Sequence, residues 1–219
     1  MIIMDIEKEY VIDMYDRIAV DFNESRYSVW NFVRNFLIGK EHLYGLDVGC
    51  GNGKNMIHTN MLGVDNCVKF VDICKNKKKN VILSDCTNLP FKDLVFDYVI
   101  SISVFHHLST TKRRMNAIRE MIRVVKIGGE ILLNVWSVEN QDKRRFVSGD
   151  NYVPWISRPK KDINPTVYYR YYHIYDEKSI YYLKNQILKE FPFMYILNIY
   201  NEKGNWVIHM KKNYSKELS

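Results

Sequence analysis

Apolar residues recur at helical spacing twice near the start of the chain, at Ile6, Tyr10, Met14, Ile18 and Phe22, and again at Val29, Phe32, Val33, Phe36 and Leu37. Residues three, four or seven apart share one helix face, so the pattern predicts two amphipathic helices. From residue 43 the period changes. Short apolar runs near 43–48, 61–65, 80–84, 95–102 and 130–137 read as strands, with helices from residue 67 and over 110–125 between them. Alternation of this kind predicts a parallel sheet wound with helices on both faces. Gly128 and Gly129 read as the C-cap and turn that end the second of these helices. The interval from Gly53 to Asn60 is too short for a full crossover helix and predicts a helical turn at most.

Beyond Trp136 the pattern loosens. Pro154, Pro159 and Pro165 punctuate residues 139–168, which read as an irregular insertion over the substrate face. Asp176 can cap a helix running to about Lys189. The apolar runs over 193–200 and 205–210, joined through Glu202, Lys203 and Gly204, predict an antiparallel hairpin. The expected fold is α/β: a doubly wound, Rossmann-like, seven-stranded and mostly parallel sheet ending in that hairpin. One domain of 219 residues is expected, divided into lid helices (1–40), a cofactor-binding core (42–138), a substrate-side insertion (139–175) and a C-terminal helix and hairpin (176–212), with a frayed tail over 213–219.

The candidate chemistry starts at Asp47-Val48-Gly49-Cys50-Gly51-Asn52-Gly53. Glycines at these positions supply positive φ angles and let backbone amides approach a ligand, so the loop is expected to bind the tail of a nucleoside cofactor. A dinucleotide favours G-x-G-x-x-G and puts its pyrophosphate on the next helix. Here the spacing is G-x-G-x-G, and Asp47 beside the loop would repel a phosphate and welcome a sulfonium, which favours S-adenosylmethionine. Asp65 would end the second strand with its carboxylate free for both ribose hydroxyls. Asp85 would end the third and accept from the adenine amino group.

Composition adds limits. No apolar run of about 18 residues occurs, and the first residues lack a signal-peptide pattern, so a soluble protein of the cytoplasm, with the nucleus as a second compartment, and no membrane partner are expected. Cys50, Cys67, Cys74 and Cys86 form no C-x-x-C pair and read as buried thiols, with neither a metal site nor a disulfide framework. The net charge of +7 is uneven: residues 1–138 hold 18 Lys/Arg against 16 Asp/Glu, and residues 139–219 hold 14 against 9. A phosphate-rich substrate would account for a basic excess outside the cofactor half.

With Asp85-Cys86-Thr87-Asn88-Leu89-Pro90-Phe91 and the run from Phe96 to Leu108, residues 43–136 resemble the class I S-adenosylmethionine-dependent methyltransferases. The resemblance makes the leading helices a lid over the cofactor and leaves the acceptor open. An Asn/Asp-Pro-Pro-Tyr/Phe loop for amino groups is absent after the fourth strand, where Ser103-Val104-Phe105-His106-His107 stands, and a Pro-Cys nucleophile for base C5 methylation is absent too. Oxygen or carbon acceptors remain.

Further segments narrow this: Tyr15-Asp16-Arg17-Ile18-Ala19, Ser25-Arg26-Tyr27-Ser28-Val29-Trp30, His106-His107-Leu108-Ser109-Thr110, Val153-Pro154-Trp155 and Arg170-Tyr171-Tyr172-His173-Ile174-Tyr175. Over about residues 10–211 they resemble the catalytic subunits of the eukaryotic tRNA wobble-uridine carboxymethyl methyltransferases. One departure is that a long polar insertion common before the last segment is here about a dozen residues.

The resemblance implies methylation of the carboxylate of 5-carboxymethyluridine in the tRNA anticodon stem-loop, with S-adenosylmethionine converted to S-adenosylhomocysteine. It implies cofactor contacts by Tyr15, Asp47, Gly49, Cys50, Gly51, Gly53, Asp65, Asp85, Cys86 and Ser103. Arg26 and Arg170 would clamp the substrate carboxylate, His106 or His107 would donate a hydrogen bond, and Trp136 and Tyr172 would offer stacking surface, with Trp155 and Tyr171 beside them. Lys143, Arg144, Arg145, Arg158, Lys160 and Lys161 would meet phosphates. It also implies a small zinc-binding activator subunit, which could pair with the apolar edge strand near residues 80–84 and would carry any zinc itself. A small-molecule methyltransferase, for instance of quinone precursors, and a non-catalytic scaffold of the same fold are the alternatives.

Overall fold

Every position of Gly45–Val48 (β1) is buried, as a strand covered on both faces requires. The computed structural model describes residues 6–139, 146–157 and 165–214. Around β1, the strands Met61–Asp65 (β2), Val81–Leu83 (β3), Phe96–Ile102 (β4), Val125–Trp136 (β5), Met194–Glu202 (β8) and Asn205–Lys212 (β9) form one sheet in the order β3-β2-β1-β4-β5-β9-β8. The first five strands are parallel, and β9 runs antiparallel between β5 and β8. This is the expected α/β sheet. The β8–β9 turn passes through Lys203 (φ 49°) and Gly204 (φ 75°), the paired left-handed residues that match the twist of a tight hairpin.

Helices cover both faces. Thr111–Val124 (α4) and Glu177–Glu190 (α5) bury Ile118, Met121, Ile180, Leu183 and Ile187 against one side. Asn31–Leu37 (α2) and Val68–Asn76 (α3) bury Phe32, Val33, Phe36 and Cys74 against the other. Asp176 caps α5 through a reciprocal box with Ser179. The predicted N-terminal helix is Asp13–Ser25 (α1), preceded by a π-helical turn at Lys8–Ile12. No helix forms between Gly53 and Asn60, so the shortness of that interval was a fair guide.

Two expectations are corrected. Gly128 and Gly129 do not cap the preceding helix, since α4 ends at Val124 and both glycines lie within β5. There the β4–β5 register slips between Phe96 and Tyr98, and a Cβ on Gly129 would sit 2.6 Å from the Asp97 carbonyl oxygen. The pair therefore serves an irregularity that presses on β4. The carbonyls at the helix end are met instead by the buried Lys212 ammonium, which donates to Ile122 O at 2.6 Å and Val125 O at 2.9 Å. The second correction is the insertion, which contains an ordered two-stranded ribbon, Gly149–Ile156 (β6) antiparallel to Val167–Ile174 (β7). Pro154 looked like a break, but in a ribbon with a single partner strand a residue without an N–H can face outward.

Candidate active site

Leaving β1, the chain turns through Gly49 (φ 75°), Gly51 (φ 53°) and Gly53 (φ 73°). A Cβ on Gly49 would collide with Val104 at 2.3 Å, so glycine is needed for the close approach as well as for the dihedral. The amides are not free for a ligand, contrary to expectation. Gly49 N and Cys50 N both donate to Val64 O, at 2.7 and 2.9 Å, and Gly51 N donates to Asp65 Oδ2 at 2.8 Å. A loop whose amides are already spent suits a cation better than a pyrophosphate, which needs those donors.

A cavity opens at this loop, between the lid, the C-terminal ends of the strands and the ribbon. Its wall includes Tyr15, Arg26, Gly49, Cys50, Gly51, Asp65, Cys86, Ser103, His107, Trp136, Arg170 and Tyr172. Four other predicted residues stand behind that wall. Asp47 is fully buried, neither oxygen meets a hydrogen-bond partner among the described residues, and burial followed by repulsion from Asp65 pushes its carboxyl up to about 7. Gly53 packs on Lys79 and Cys74. Asp85 turns aside: its Oδ1 accepts from Thr87 N and Oγ1, each at 2.7 Å, and its Oδ2 from Arg113 Nη2 at 2.8 Å. Burial would raise that carboxyl, but these bonds outweigh it and hold it below the usual range. His106 lies beneath the surface with Nδ1 accepting from Trp136 N at 3.1 Å.

Asp65 does reach the cavity, yet its carboxylate also organises the loop through Gly51 N and through Cys67 N at 2.9 Å. Burial leads its shift up to about 6, and these amides oppose it. Ser103 adopts a left-handed conformation (φ 62°) held by Asn134 Oδ1, 2.8 Å from its amide. Such strain in a non-glycine residue concentrates at functional sites.

The far wall is cationic and aromatic. Arg170 in β7 is only 4 % exposed, and its guanidinium lies 5.0 Å from the Trp155 ring centroid, 5.2 Å from Tyr172 and 6.0 Å from Tyr15. Among the described residues its Nε has no hydrogen-bond partner and no carboxylate pairs with it. Arg26 ends α1 at the rim, exposed, 5.8 Å from the same Trp155 ring. Trp136 and Tyr172 stack at 4.3 Å. His107 Nδ1 lies 2.7 Å from Tyr171 O and Nε2 2.9 Å from Tyr15 Oη, and burial pushes this imidazole down to about 3.

Some wall residues were missed in the sequence. Lys54 follows Gly53 directly, and its position next to the glycine loop could have flagged it. Asn52 Nδ2 donates to Arg26 O at 2.9 Å, and Asn52 Oδ1 accepts from Lys54 N at 3.3 Å, which brings lid and loop together. Glu7 accepts from Ser109 N, Ser109 Oγ and Arg113 Nε at 2.6 to 2.8 Å. A contact across about a hundred residues leaves no sequence signal. Lys143, Arg144, Arg145, Arg158, Lys160 and Lys161 lie outside the described residues.

Residues 46–133 match a family model described as "Methyltransferase domain". The tRNA (carboxymethyluridine(34)-5-O)-methyltransferase of Schizosaccharomyces pombe is 35 % identical over 95 % of this chain and 99 % of its own length. A probable tRNA methyltransferase 9B of Mus musculus is 41 % identical over 69 % of this chain, which spans only 35 % of that longer protein. Among solved structures, a complex of the Haloferax volcanii Trm112 methyltransferase activator with a methyltransferase has a chain that superposes with a TM-score of 0.64 at 15 % identity, covering 94 % of this chain and 98 % of that one. That likeness establishes the fold. With 35 % identity running almost end to end through the fission yeast enzyme, and with Arg170 and its aromatic neighbours walling a cavity floored by the glycine loop, the chain is a member of the tRNA (carboxymethyluridine(34)-5-O)-methyltransferase family.

Proposed function

We infer that the chain methylates the carboxylate of 5-carboxymethyluridine at the tRNA wobble position, and that Arg170 carries the recognition. A permanently charged group buried without an acid beside it is unfavourable unless a ligand supplies the counter-charge. A substrate that brings its own carboxylate does so, and a guanidinium can meet it as a two-pronged donor. Quinone precursors with phenolic acceptors would leave the cation unmatched.

The cavity suits S-adenosylmethionine: the loop amides are already satisfied, which favours a cationic ligand over a phosphate, and Asp65 offers a carboxylate. Bound there, the cofactor would supply an electrophilic sulfonium methyl to which a substrate oxygen bonds as the carbon–sulfur bond breaks, yielding the ester and S-adenosylhomocysteine. The residues of this chain need not remove a proton, because a carboxylate is ionised at neutral pH. His107 accordingly stays neutral, with both nitrogens engaged. The work left to the protein is alignment and the exclusion of water. Trp136 and Tyr172, stacked on each other at 4.3 Å, stand beside Arg170 in the cavity wall, an aromatic lining that a base turned out of its loop could meet.

A small zinc-binding activator is the partner this reading includes, with any zinc in that subunit. Support comes from the activator in the Haloferax complex and from β3, an edge strand whose Ile82 and Leu83 are 38 % and 53 % exposed. Long-lived apolar edges are usually covered. Incubation of the protein and activator with tRNA lacking the methyl ester, followed by nucleoside mass spectrometry, should yield 5-methoxycarbonylmethyluridine. Absence of that nucleoside alongside demonstrable cofactor binding would refute the assignment.

A further inference from the structure

Three segments meet at one phenol. Tyr15 comes from α1, His107 from the turn after β4, and Arg170 with Tyr172 from β7, and Tyr15 Oη lies 2.9 Å from His107 Nε2, 3.3 Å from Tyr172 Oη and 3.5 Å from Arg170 Nη1. The directions of these bonds are determined. Tyr171 O, a carbonyl, can only accept, so His107 Nδ1 at 2.7 Å must carry the proton. Burial keeps the imidazole neutral, which leaves a lone pair on Nε2. Tyr15 must then donate its only hydroxyl proton to His107, and its oxygen is left as an acceptor facing Arg170 and Tyr172.

We propose that Tyr15 is a positioning residue that makes the site selective for a carboxylate, by holding the Arg170 guanidinium through a hydroxyl whose polarity His107 dictates. The inference rests on the reading of Arg170 as the carboxylate clamp. An acid in place of Tyr15 would neutralise Arg170 and repel the substrate. A phenol whose proton is already committed orients the guanidinium and leaves its charge for the ligand. The aromatic faces of Trp155, Tyr172 and Tyr15 support the cation in the same way, without an opposing charge. Because Tyr15 belongs to the lid, the clamp is complete only when α1 is docked. The methyl ester lacks the charge that this arrangement favours, so the same device lets the product go.

The test uses the complex of this chain with its activator, saturated with S-adenosylhomocysteine. Three anticodon stem-loops carry at the wobble position 5-carboxymethyluridine, its methyl ester or its neutral amide, and their dissociation constants are compared for wild type, Tyr15→Phe and Arg170→Ala. Tyr15→Phe keeps the ring and removes only the hydroxyl. It should weaken the carboxylate RNA roughly tenfold, in line with a hydrogen bond to a charged group, while leaving the ester and amide RNAs and the cofactor product unchanged. A carboxylate-to-ester ratio equal to wild type, a parallel loss for all three RNAs, or loss of S-adenosylhomocysteine binding would each overturn the proposal. Arg170→Ala separates the two readings: if it too leaves the ratio intact, or if the wild type shows no preference, the carboxylate clamp itself fails. If Arg170→Ala abolishes the preference and Tyr15→Phe does not, only the role of Tyr15 is lost.

Discussion

A guanidinium buried to 4 % exposure with aromatic rings on several sides and a carboxyl buried with no hydrogen-bond partner among the described residues are both costly, and they call for opposite tests. On the function proposed above, the counter-charge for Arg170 comes from the substrate. Arg170→Ala should leave cofactor affinity near wild type and lower turnover about 10- to 100-fold, the loss of a charge-assisted bond worth ~1.5–3 kcal/mol, and lysine should rescue poorly because it cannot form the fork. Calorimetry with the cofactor and single-turnover rates would show the split, and a matched loss in both would place Arg170 in the cofactor site. For Asp47 the folded carboxyl sits up at about 7, above its ordinary value near 3.8. The fold therefore favours the protonated form, so this group's favourable contribution is present below about pH 4 and is lost as the pH rises through 7. Asp47→Asn should raise the melting temperature of the free chain at pH 8 and give no gain at pH 4; a gain independent of pH would contradict the burial argument. At this scale Tyr15, Arg26, His107 and Arg170, far apart in the sequence, all line one cavity. The sequence could not say which of two adjacent histidines faces inward. That depends on how one 3-10 turn, Phe105–His107, is rotated against Trp136 and Tyr171.

Elements were legible where periodicity was strong and obscure where partners decided. The alternation over 43–137 carried the parallel, helix-wound sheet, because buried parallel strands must be apolar throughout; it did not carry the order of the strands. Two sequence marks misled: Gly128 and Gly129 suggested a helix end but serve a strand irregularity, and Pro154 suggested a loop but sits in a ribbon. In both, a tertiary contact overrides the local propensity. The edge strand β3 is a third such case. Alternation along a strand implied that one of Ile82 and Leu83 faces the core, yet both are exposed. Their shared exposure changes the expected experiment. Ile82→Lys and Leu83→Lys should each reduce co-purification with the activator, to a similar degree and with little loss of stability in the isolated chain. Wild-type recovery of the complex from both variants would remove β3 from the interface.

For the whole molecule, the distribution of charge bears on how a tRNA would be held outside the cavity. Residues 139–219 carry 14 Lys/Arg against 9 Asp/Glu, while residues 1–138 carry 18 against 16. The same span supplies the ribbon that brings Arg170 and Tyr172 to the cavity. Cations on a chain segment continuous with the substrate wall would meet RNA phosphates, and each phosphate they neutralise releases condensed counterions, so affinity should fall steeply with salt. Lys143, Arg144 and Arg145 form the densest basic run there. Their combined replacement by glutamine should weaken binding of an anticodon stem-loop and flatten the dependence of log affinity on log salt, by up to roughly 0.7 to 0.9 per lost phosphate contact. Selectivity for the carboxylate over the ester should persist, because the proposed clamp places it in Arg170 and Tyr15. Fluorescence anisotropy across a salt series would read both quantities. An unchanged slope would exclude these three residues from the RNA path, and a slope that flattens together with a loss of carboxylate preference would mean that the basic run acts on the cavity itself.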